Sequence, residues 1–376
     1  MNSYRRTTLG ECCEIVSGAT PSTSKAEYWD GDIQWATPKD LSDLDGKYIS
    51  QTARQITQSG LAGCTAKMLP PNSVLFSSRA PIGHVAINLV PMATNQGFKS
   101  FVPREDWVDS SFLYHWLRSR RAYLESLGNG ATFKEVSKTV VSRVDIDLPP
   151  LTEQRRIADI LDKADAIRRK REDAIALTDD LLRSAFLEMF GDPVTNPKGW
   201  RRQTLGDLVK LKSGNFLPAK EMDASGGHAV YGGNGVNGRH SAYMFESPVI
   251  VIGRVGVYCG VVHRTEPESW VTDNALYVAN HSNDLEPTYL EHALRVANLN
   301  QYASQAAQPL ISGSRVCPVE ISVPPRTKQR DFAAFAEKQS ELLDAAVRAY
   351  EGSDNLFNSL VDRAFRGQGL AGGAAC

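Results

Sequence analysis

The sequence predicts an α+β protein in which two β-rich domains are joined by two long helices that pair as an antiparallel coiled coil. Three observations predict this fold. The second half of the chain repeats the first, each half begins with short β-type runs separated by turn residues, and each half ends with a long helical pattern. A duplicated unit of this kind predicts a pseudo-twofold internal repeat.

The internal repeat consists of matched motifs that occur in the same order in both halves. The first half contains Thr8-Leu9-Gly10, Ser17-Gly18, Arg79, Thr94-Asn95, His115, and Pro149-Pro150 followed by Gln154-Arg155. The second half contains Thr204-Leu205-Gly206, Ser213-Gly214, Arg254, Thr272-Asp273-Asn274, His292, and Pro324-Pro325 followed by Gln329-Arg330. The residues between these motifs differ greatly, which indicates duplication followed by divergence.

Before each Pro-Pro pair the chain is typical of β-structure. Runs such as 73–76, 85–90 and 249–252 are rich in Val, Leu, Ile and Phe and are bounded by Gly, Pro and Asn. The Gly-rich stretch 232–238 lacks the Lys-Ser/Thr ending of a phosphate-binding loop and precedes no obvious helix. It therefore favours a turn or a flexible binding loop.

After each Pro-Pro pair the apolar residues follow a helical three-four spacing, over residues 151–191 and again over residues 326–367. Gly191-Asp192-Pro193 predicts a firm end to the first helix, and Gly352 predicts a kink or a weak point in the second. A helix of about 38 residues is roughly 57 Å long. Its apolar stripe needs a partner of the same length, and the other long helix is the first candidate. Separate packing of each helix on its own domain remains the alternative.

These patterns divide the chain into five segments. The predicted segments are a first domain at 1–150, a first spacer helix at 151–191, a second domain at 192–325, a second spacer helix at 326–367, and a flexible tail at 368–376.

The composition is that of an ordinary globular protein, with 42% hydrophobic and 23% charged residues. No apolar run reaches the length of a membrane span, and the first residues do not resemble a signal peptide, so we expect a cytoplasmic protein. The six cysteines show no paired metal-ligand spacing. The net charge is −1, whereas an isolated nucleic-acid-binding domain typically has a pI above about 9.

Several catalytic motifs are missing from the sequence. It contains no Gly-x-Ser-x-Gly elbow and no His-Glu-x-x-His zinc motif. Neither Pro-Pro pair lies in the Asn/Asp-Pro-Pro-aromatic motif of amino-methyltransferases. We therefore expect no catalytic, cofactor-binding or metal site, and instead two binding domains whose spacing the helices fix. Paired DNA half-sites are a ligand of this kind.

Some of these motifs resemble a known family. The first domain contains Thr8-Leu-Gly10, Ser17-Gly18, Tyr28-Trp29, Ser78-Arg79 and Thr94-Asn-Gln-Gly97. Each spacer helix begins after a Pro-Pro-x-x-x-Gln-Arg element, at Pro149–Arg155 and Pro324–Arg330. In these features the chain resembles the specificity subunit of Type I restriction–modification enzymes, from about residue 7 to residue 365.

The resemblance implies a DNA reader without catalytic activity. Each target recognition domain would read one half of a bipartite, asymmetric target, and the spacer helices would set the unread gap. The chain would lend specificity to two methyltransferase subunits that use S-adenosylmethionine. With two restriction (motor-nuclease) subunits added, the assembly would restrict unmodified DNA.

Residues that contact double-stranded DNA are expected among Arg, Lys, Asn, Gln and hydroxyl side chains on loops and strand ends. The candidates are Ser22, Lys25, Trp35, Thr37, Lys39 and Arg79 in the first domain, and Asn215, Lys220, Tyr231, Asn234, Asn237, Arg239 and Arg254 in the second. Trp35 also suits a β-rich core, and the two Asn residues of the Gly-rich stretch also suit turns. Arg79 and Arg254 occupy matched positions, which favours phosphate positioning over base reading.

Two other functions remain open at this point. The chain could be a coiled-coil adaptor whose two β-rich domains bind peptides, or an enzyme with an unrecognised site. The basic run Arg168-Arg-Lys-Arg171 suits DNA between the half-sites, or a solvated helix face paired with Glu172 and Asp173.

Overall fold

A computed structural model describes residues 4–79, 81–129, 134–223 and 225–365. The predicted tail at 368–376 lies outside the described residues. The chain divides into two compact units. Unit 1 is formed by residues 1–170 with 350–376, and unit 2 by residues 171–349. Each unit therefore contains one half of each spacer helix.

Unit 1 combines two β-sheets and a strand pair with helices. Its strands are β1 (Arg5–Thr8), β2 (Cys13–Ser17), β3 (Trp29–Ala36), β4 (Tyr48–Ile49), β5 (Gln55–Ile56), β6 (Val74–Phe76), β7 (Val85–Asn88), β8 (Met92–Thr94), β9 (Lys99–Pro103) and β10 (Asp145–Leu148). Its helices are α1 (Leu9–Cys12), α2 (Pro38–Ser42), α3 (Gln58–Ala62), α4 (Ser110–Ser119), α5 (Arg121–Ser126), α6 (Lys138–Ser142), the first half of α7 (Leu151–Phe190) and the last part of α11 (Arg326–Phe365). The sheets have the orders β2-β9-β6-β7-β4 and β5-β3-β8, and β1 pairs with β10.

Unit 2 repeats this plan, with four strands instead of five in its larger sheet. Its strands are β11 (Arg201–Thr204), β12 (Val209–Ser213), β13 (His228–Gly232), β14 (Gly235–His240), β15 (Ile250–Gly253), β16 (Val262–Arg264), β17 (Trp270–Val271), β18 (Ala275–His281) and β19 (Glu320–Val323). Its helices are the second half of α7, α8 (Leu205–Leu208), α9 (Pro287–Val296), α10 (Gly313–Val316) and the first part of α11 (Arg326–Phe365). The sheets have the orders β12-β18-β15-β16 and β14-β13-β17, and β11 pairs with β19.

The strand register confirms the internal repeat. In unit 1 the antiparallel pair β1–β10 places Arg5 opposite Leu148, directly before the first Pro-Pro pair. In unit 2 the pair β11–β19 places Arg201 opposite Val323, directly before the second Pro-Pro pair. Each spacer helix therefore begins where the last strand of its repeat ends.

The two spacer helices run antiparallel, as predicted. In unit 2, Arg171 of α7 donates a hydrogen bond to the carbonyl of Ala349 in α11. Further along α7, Phe186 meets Phe332 of α11 with ring centroids 5.4 Å apart. The residue number on α11 falls as that on α7 rises, so the helices have opposite directions. Each helix has 40 residues, about 60 Å of helix, and α11 continues through Gly352.

Each unit has a core made by its sheet, one short helix and both spacer helices. In unit 1, Ile157 and Leu161 of α7 join Phe357 and Ala364 of α11 in one buried cluster. In unit 2 the corresponding cluster is aromatic and has fully buried rings from α7, α9 and α11, namely Phe186, Phe190, Tyr289 and Phe332. The sequence left two alternatives, pairing of the two spacer helices with each other or packing of each helix on its own domain. Both occur together.

Two residues of the basic run on α7, Arg168 and Arg169, are held by acidic side chains within unit 1. Arg168 and Arg169 both bind the carboxylate of Asp165, each at 2.8 Å, and Arg168 also lies 3.3 Å from Asp354. Burial works to raise the pKa of Asp165, but the bonds from these guanidinium groups outweigh it and hold that pKa below its ordinary value. The acidic partners are therefore not the expected Glu172 and Asp173.

A buried glutamine explains why the Pro-Pro-x-x-x-Gln-Arg element precedes each helix. Gln154 accepts a hydrogen bond from the Asp109 amide at 2.9 Å. Its own amide donates to the carbonyls of Trp107 and Pro149 at 2.9 and 2.8 Å. The side chain thus ties the start of α7 to the start of α4.

The same three bonds recur in unit 2. Gln329 accepts from the Glu286 amide at 2.8 Å and donates to the carbonyls of Asp284 and Pro324 at 2.9 and 2.8 Å. The glutamine side chain satisfies three buried backbone groups at once. The motif therefore has a structural role in both repeats.

The matched histidines, in contrast, have different surroundings. His115 lies 2.7 Å from Asp162, whose other oxygen accepts a bond from Lys47 at 2.5 Å. His292 packs edge-on against Phe332 with ring centroids 5.0 Å apart. Burial, with a smaller contribution from Arg295, lowers the pKa of His292 to about 4.

Replacement of the buried glutamine should destabilise unit 2. Gln329→Ala leaves three backbone groups without their partner, so we expect the free energy of unfolding to fall by about 3 kcal/mol. Urea unfolding of the full chain measures the change. The matched control is Arg330→Ala, an exposed neighbour in the same motif, which should stay within about 0.5 kcal/mol of wild type. Equal losses in both variants would contradict the structural role of Gln329.

His292 should make the stability of unit 2 dependent on pH. Its pKa is lower in the folded than in the unfolded chain, so its contribution is complete above pH 6.5 and is lost progressively as the pH falls toward 4. Between pH 7.5 and pH 5 the wild type should lose about 2 kcal/mol more than His292→Phe, which keeps the ring but cannot titrate. Urea unfolding at both pH values tests this, and parallel losses would contradict it.

Candidate nucleic-acid interface

A short loop between β8 and β9 gathers the polar segments of unit 1. We call residues 94–98 the junction loop of unit 1. Its backbone forms hydrogen bonds with the backbone of Ala19, Ala36 and Ser78, at 2.9, 3.0 and 2.7 Å. The segments that carry the predicted contact residues of the first domain therefore meet at one place.

The repeated Ser-Gly pair is required by close approach to the junction loop. A Cβ atom on Gly18 would lie 2.0 Å from the carbonyl oxygen of Asn95. In unit 2 a Cβ atom on Gly214 would lie 2.3 Å from the carbonyl oxygens of Val271 and Thr272. Only glycine fits at both positions, so the Ser-Gly and Thr-Asn motifs form one packing contact in each repeat.

Two tryptophans support the loop that follows Gly18. The indole N–H of Trp35 donates to the carbonyl of Ala19 at 3.0 Å, and that of Trp29 donates to Ser22 at 3.1 Å. The two rings meet edge to face at 5.1 Å. Trp35 is only 3% exposed, which leaves it no surface for a DNA contact. Ser22 and Lys25, by contrast, are exposed on the supported loop.

Two further candidates lie at the start of α2, directly after β3. The Thr37 amide and hydroxyl both donate to one carboxylate oxygen of Asp40, at 2.8 and 2.5 Å. The other oxygen of Asp40 accepts from the Ala53 amide at 2.8 Å. Thr37 is therefore engaged in capping the helix. Lys39 is exposed, and its ammonium makes no ion pair among the residues that the structure describes.

Arg54 is a residue that the sequence reasoning missed. Its guanidinium carbon lies 3.6 Å from the centroid of the Trp29 ring, and the side chain is exposed. Its carbonyl accepts bonds from the Trp35 amide at 3.2 Å and from the Thr52 hydroxyl at 2.7 Å. The contact depends on the pairing of β3 with β5, so no local sequence signal indicates it.

Arg79 is partly engaged by an acidic neighbour. Its Nε lies 2.9 Å from Glu135, whose other oxygen accepts from Lys99 at 3.1 Å. Burial works to raise the pKa of Glu135, but the bonds from Lys99 and Arg79 hold it below its ordinary value. The Arg79 side chain is 44% exposed, so part of the guanidinium remains available.

Unit 2 has a junction loop of its own at residues 271–274. Carbonyl groups of this loop accept hydrogen bonds from the backbone amides of Asn215 and Arg254, each at 2.9 Å. A backbone amide of the loop donates to the Tyr231 carbonyl at 2.8 Å. Three predicted contact residues of the second domain therefore lie around one loop, as in unit 1.

The side chains of two of these residues point to different roles. Tyr231 is 5% exposed, its hydroxyl accepts from the Glu266 amide at 3.0 Å, and burial raises its pKa. It is a core residue that offers no surface to DNA. Arg254 is half-buried and donates to Ser213 and to the Asp273 carbonyl, at 3.2 and 3.3 Å.

The remaining candidates lie on or beside the β13–β14 hairpin. The Gly-rich stretch 232–238 forms the turn of this hairpin and the first part of β14. Asn234 is exposed at its turn, and Asn237 and Arg239 are exposed on β14. Arg239 donates to the Gly227 carbonyl at 3.0 Å. Lys220 is exposed on the short 3-10 helix Ala219–Glu221.

Other kinds of site are not seen in the part of the chain that the structure describes. Within residues 4–79, 81–129, 134–223 and 225–365, no three His, Cys, Asp or Glu side chains are grouped to hold a metal ion. None of the helices in these ranges has both the length and the apolar character needed to cross a membrane.

Comparison with known proteins agrees with this architecture. The model of the Type I restriction modification DNA specificity domain matches residues 2–177 and 197–343. The chain is 28% identical to the Type I restriction enzyme EcoprrI specificity subunit of Escherichia coli over 356 residues, 90% of this chain and 88% of that protein. It is 35% identical to the MjaIX specificity subunit of Methanocaldococcus jannaschii over 226 residues, 56% of this chain and about half (52%) of that protein.

The fold is also that of a solved structure. The S subunit of a Type-I restriction-modification system from M. genitalium aligns with a TM-score of 0.62 over 96% of both chains, at 16% identity. The identity is low, so this likeness concerns the fold alone. The matches of the DNA specificity domain model, however, cover most of the chain in two segments. The chain therefore belongs to the family of Type I restriction modification DNA specificity domains, and it contains that domain twice.

Proposed function

We propose that this chain is the subunit that recognises the DNA sequence for a Type I restriction–modification complex, and that it catalyses no reaction itself. The observation that carries the proposal is the presence of two junction loops, each of which gathers exposed polar residues. The adaptor function is not favoured, because the chain belongs to a DNA specificity family.

The two units are suited to different half-sites. Both have the same framework, with a glycine packed against a junction loop and a matched arginine beside it. The exposed candidate side chains of the two units differ. Unit 1 offers a serine and two lysines, namely Ser22, Lys25 and Lys39, whereas unit 2 offers three asparagines beside a lysine and an arginine, namely Asn215, Asn234, Asn237, Lys220 and Arg239. Since asparagine suits adenine whereas lysine and arginine suit guanine or phosphate, these sets favour an asymmetric, bipartite target.

The exposure of each candidate side chain decides the role that we propose for it. We propose Ser22, Lys25, Lys39, Asn215, Lys220, Asn234, Asn237 and Arg239 as direct DNA contacts, and Arg79 and Arg254 as phosphate-positioning residues. Trp35 and Tyr231 are proposed to support the loops from within the cores, and Thr37 to cap α2.

The proposed partners are those that the resemblance to Type I specificity subunits implies. The net charge of −1 agrees with them, because a protein that binds DNA alone is usually basic. We propose that two methyltransferase subunits supply many of the phosphate contacts and carry S-adenosylmethionine. Two restriction subunits would join the complex when it restricts DNA. We propose that the complex acts in the cytoplasm.

Exchange of one domain should change one half of the target. The full chain is co-expressed with its cognate methyltransferase subunit, and methylated bases are mapped across the host genome by long-read sequencing. We expect a motif of two short defined halves, about one helical turn apart. Replacement of residues 1–150 by those of another family member leaves both spacer helices intact, since α7 begins at Leu151. It should alter one half only.

The matched exchange of residues 192–325 should alter the other half. Changes in both halves after either exchange would contradict the assignment of one half-site to each unit. No new methylation, together with failure of the two proteins to co-purify, would contradict the proposed function itself.

A further inference from the structure

We infer that Arg54 reads a guanine in the half-site of unit 1. The inference rests on the proposed function, because it names a specificity-determining residue of that site. Three features carry it, namely the support of the guanidinium by the Trp29 ring, its free donors, and the lack of a counterpart in unit 2.

Arg54 has partners at both ends, at its guanidinium and at its backbone carbonyl. Its guanidinium lies 3.6 Å above the ring of Trp29, and its carbonyl is bound by the Trp35 amide and the Thr52 hydroxyl. Trp29 is itself held, since it is 8% exposed, its N–H is bound to Ser22 and its ring packs against Trp35. An arginine that already lies over an aromatic ring loses less conformational freedom when it binds a planar acceptor pair than one that is free in solvent.

The donors of Arg54 are free for a ligand. Among the residues that the structure describes, its guanidinium makes no ion pair and no side-chain hydrogen bond, whereas Arg79 of the same unit is bound to Glu135. Stacking on an aromatic ring leaves the edge of the guanidinium open. This edge matches the O6 and N7 acceptors of guanine, and it also matches a phosphate.

Guanine is favoured over phosphate because the arrangement is not repeated. In the described part of residues 171–349, no arginine or lysine lies over an aromatic ring, although unit 1 has several such pairs. Phosphates are present in every half-site, so residues that bind them can be matched in both units, as Arg79 and Arg254 are. A residue that reads a base should differ between two units that read different sequences.

The test is carried out on the complex of the full chain with its cognate methyltransferase subunit. Wild type, Arg54→Ala and Arg54→Lys are compared by genome-wide mapping of methylated bases. Both variants should accept other bases at one guanine of one half-site, and discrimination at that position should fall about 10- to 100-fold in Arg54→Ala. Lysine keeps the charge but lacks the planar fork, so Arg54→Lys should relax the same position.

The matched control is Arg5→Ala. Arg5 also stacks on a tryptophan, with its guanidinium 3.4 Å from the Trp107 ring, but it lies on the β1–β10 pair. This variant should keep the wild-type motif. Thermal melting and co-purification with the methyltransferase show whether each variant is folded and assembled.

The other outcomes overturn the inference. A uniform loss of methylation with an unchanged motif in Arg54→Ala, restored by Arg54→Lys, would identify a phosphate contact. A motif and a rate equal to wild type would show that Arg54 does not touch DNA. A wild-type complex without a bipartite motif would overturn the proposed function, and with it this inference.

Discussion

The pairing of the two spacer helices is the constraint on which both units depend. Phe357 and Ala364, from the helix of the second repeat, are part of the unit 1 core, and Phe186 and Phe190, from the helix of the first, are part of the unit 2 core. Each repeat therefore lacks part of its own core until the other repeat supplies it. A chain built in this way needs both long helices in register, since a shift would remove large buried side chains from both cores.

The sequence predicted the framework well because the framework is set by periodic and repeated residues. The three-four spacing predicted both 40-residue helices, and the ordered motifs predicted the repeat. A motif match did not, however, determine the role of a residue. Gln154 and Gln329 make the same three bonds, whereas His115 binds Asp162 and the matched His292 packs on aromatic rings. Surroundings contributed by distant segments decide between these outcomes.

The exposure of the candidate contact residues was predicted less well than the framework, for the same reason. Residue type favoured Trp35 and Tyr231, but both side chains are buried, because aromatic rings fill the small cores behind the junction loops. Arg54 was missed because its stacking partner Trp29 comes from another strand. The exposure of loop residues such as Lys25 and Asn234 follows from polarity alone, whereas their contact with DNA stays a prediction.

The free and the engaged arginines explain how a chain of net charge −1 can suit DNA. Arg168 and Arg169 on α7 are both paired with Asp165, and Arg79 is paired with Glu135, so these positive charges serve the fold. The 42 Lys and Arg residues are balanced by 43 Asp and Glu residues, and a protein without net positive charge gains little sequence-independent affinity. Discrimination in such a protein depends on donors that are oriented and unpaired. This division suits a subunit that selects the sequence while its partners bind the backbone.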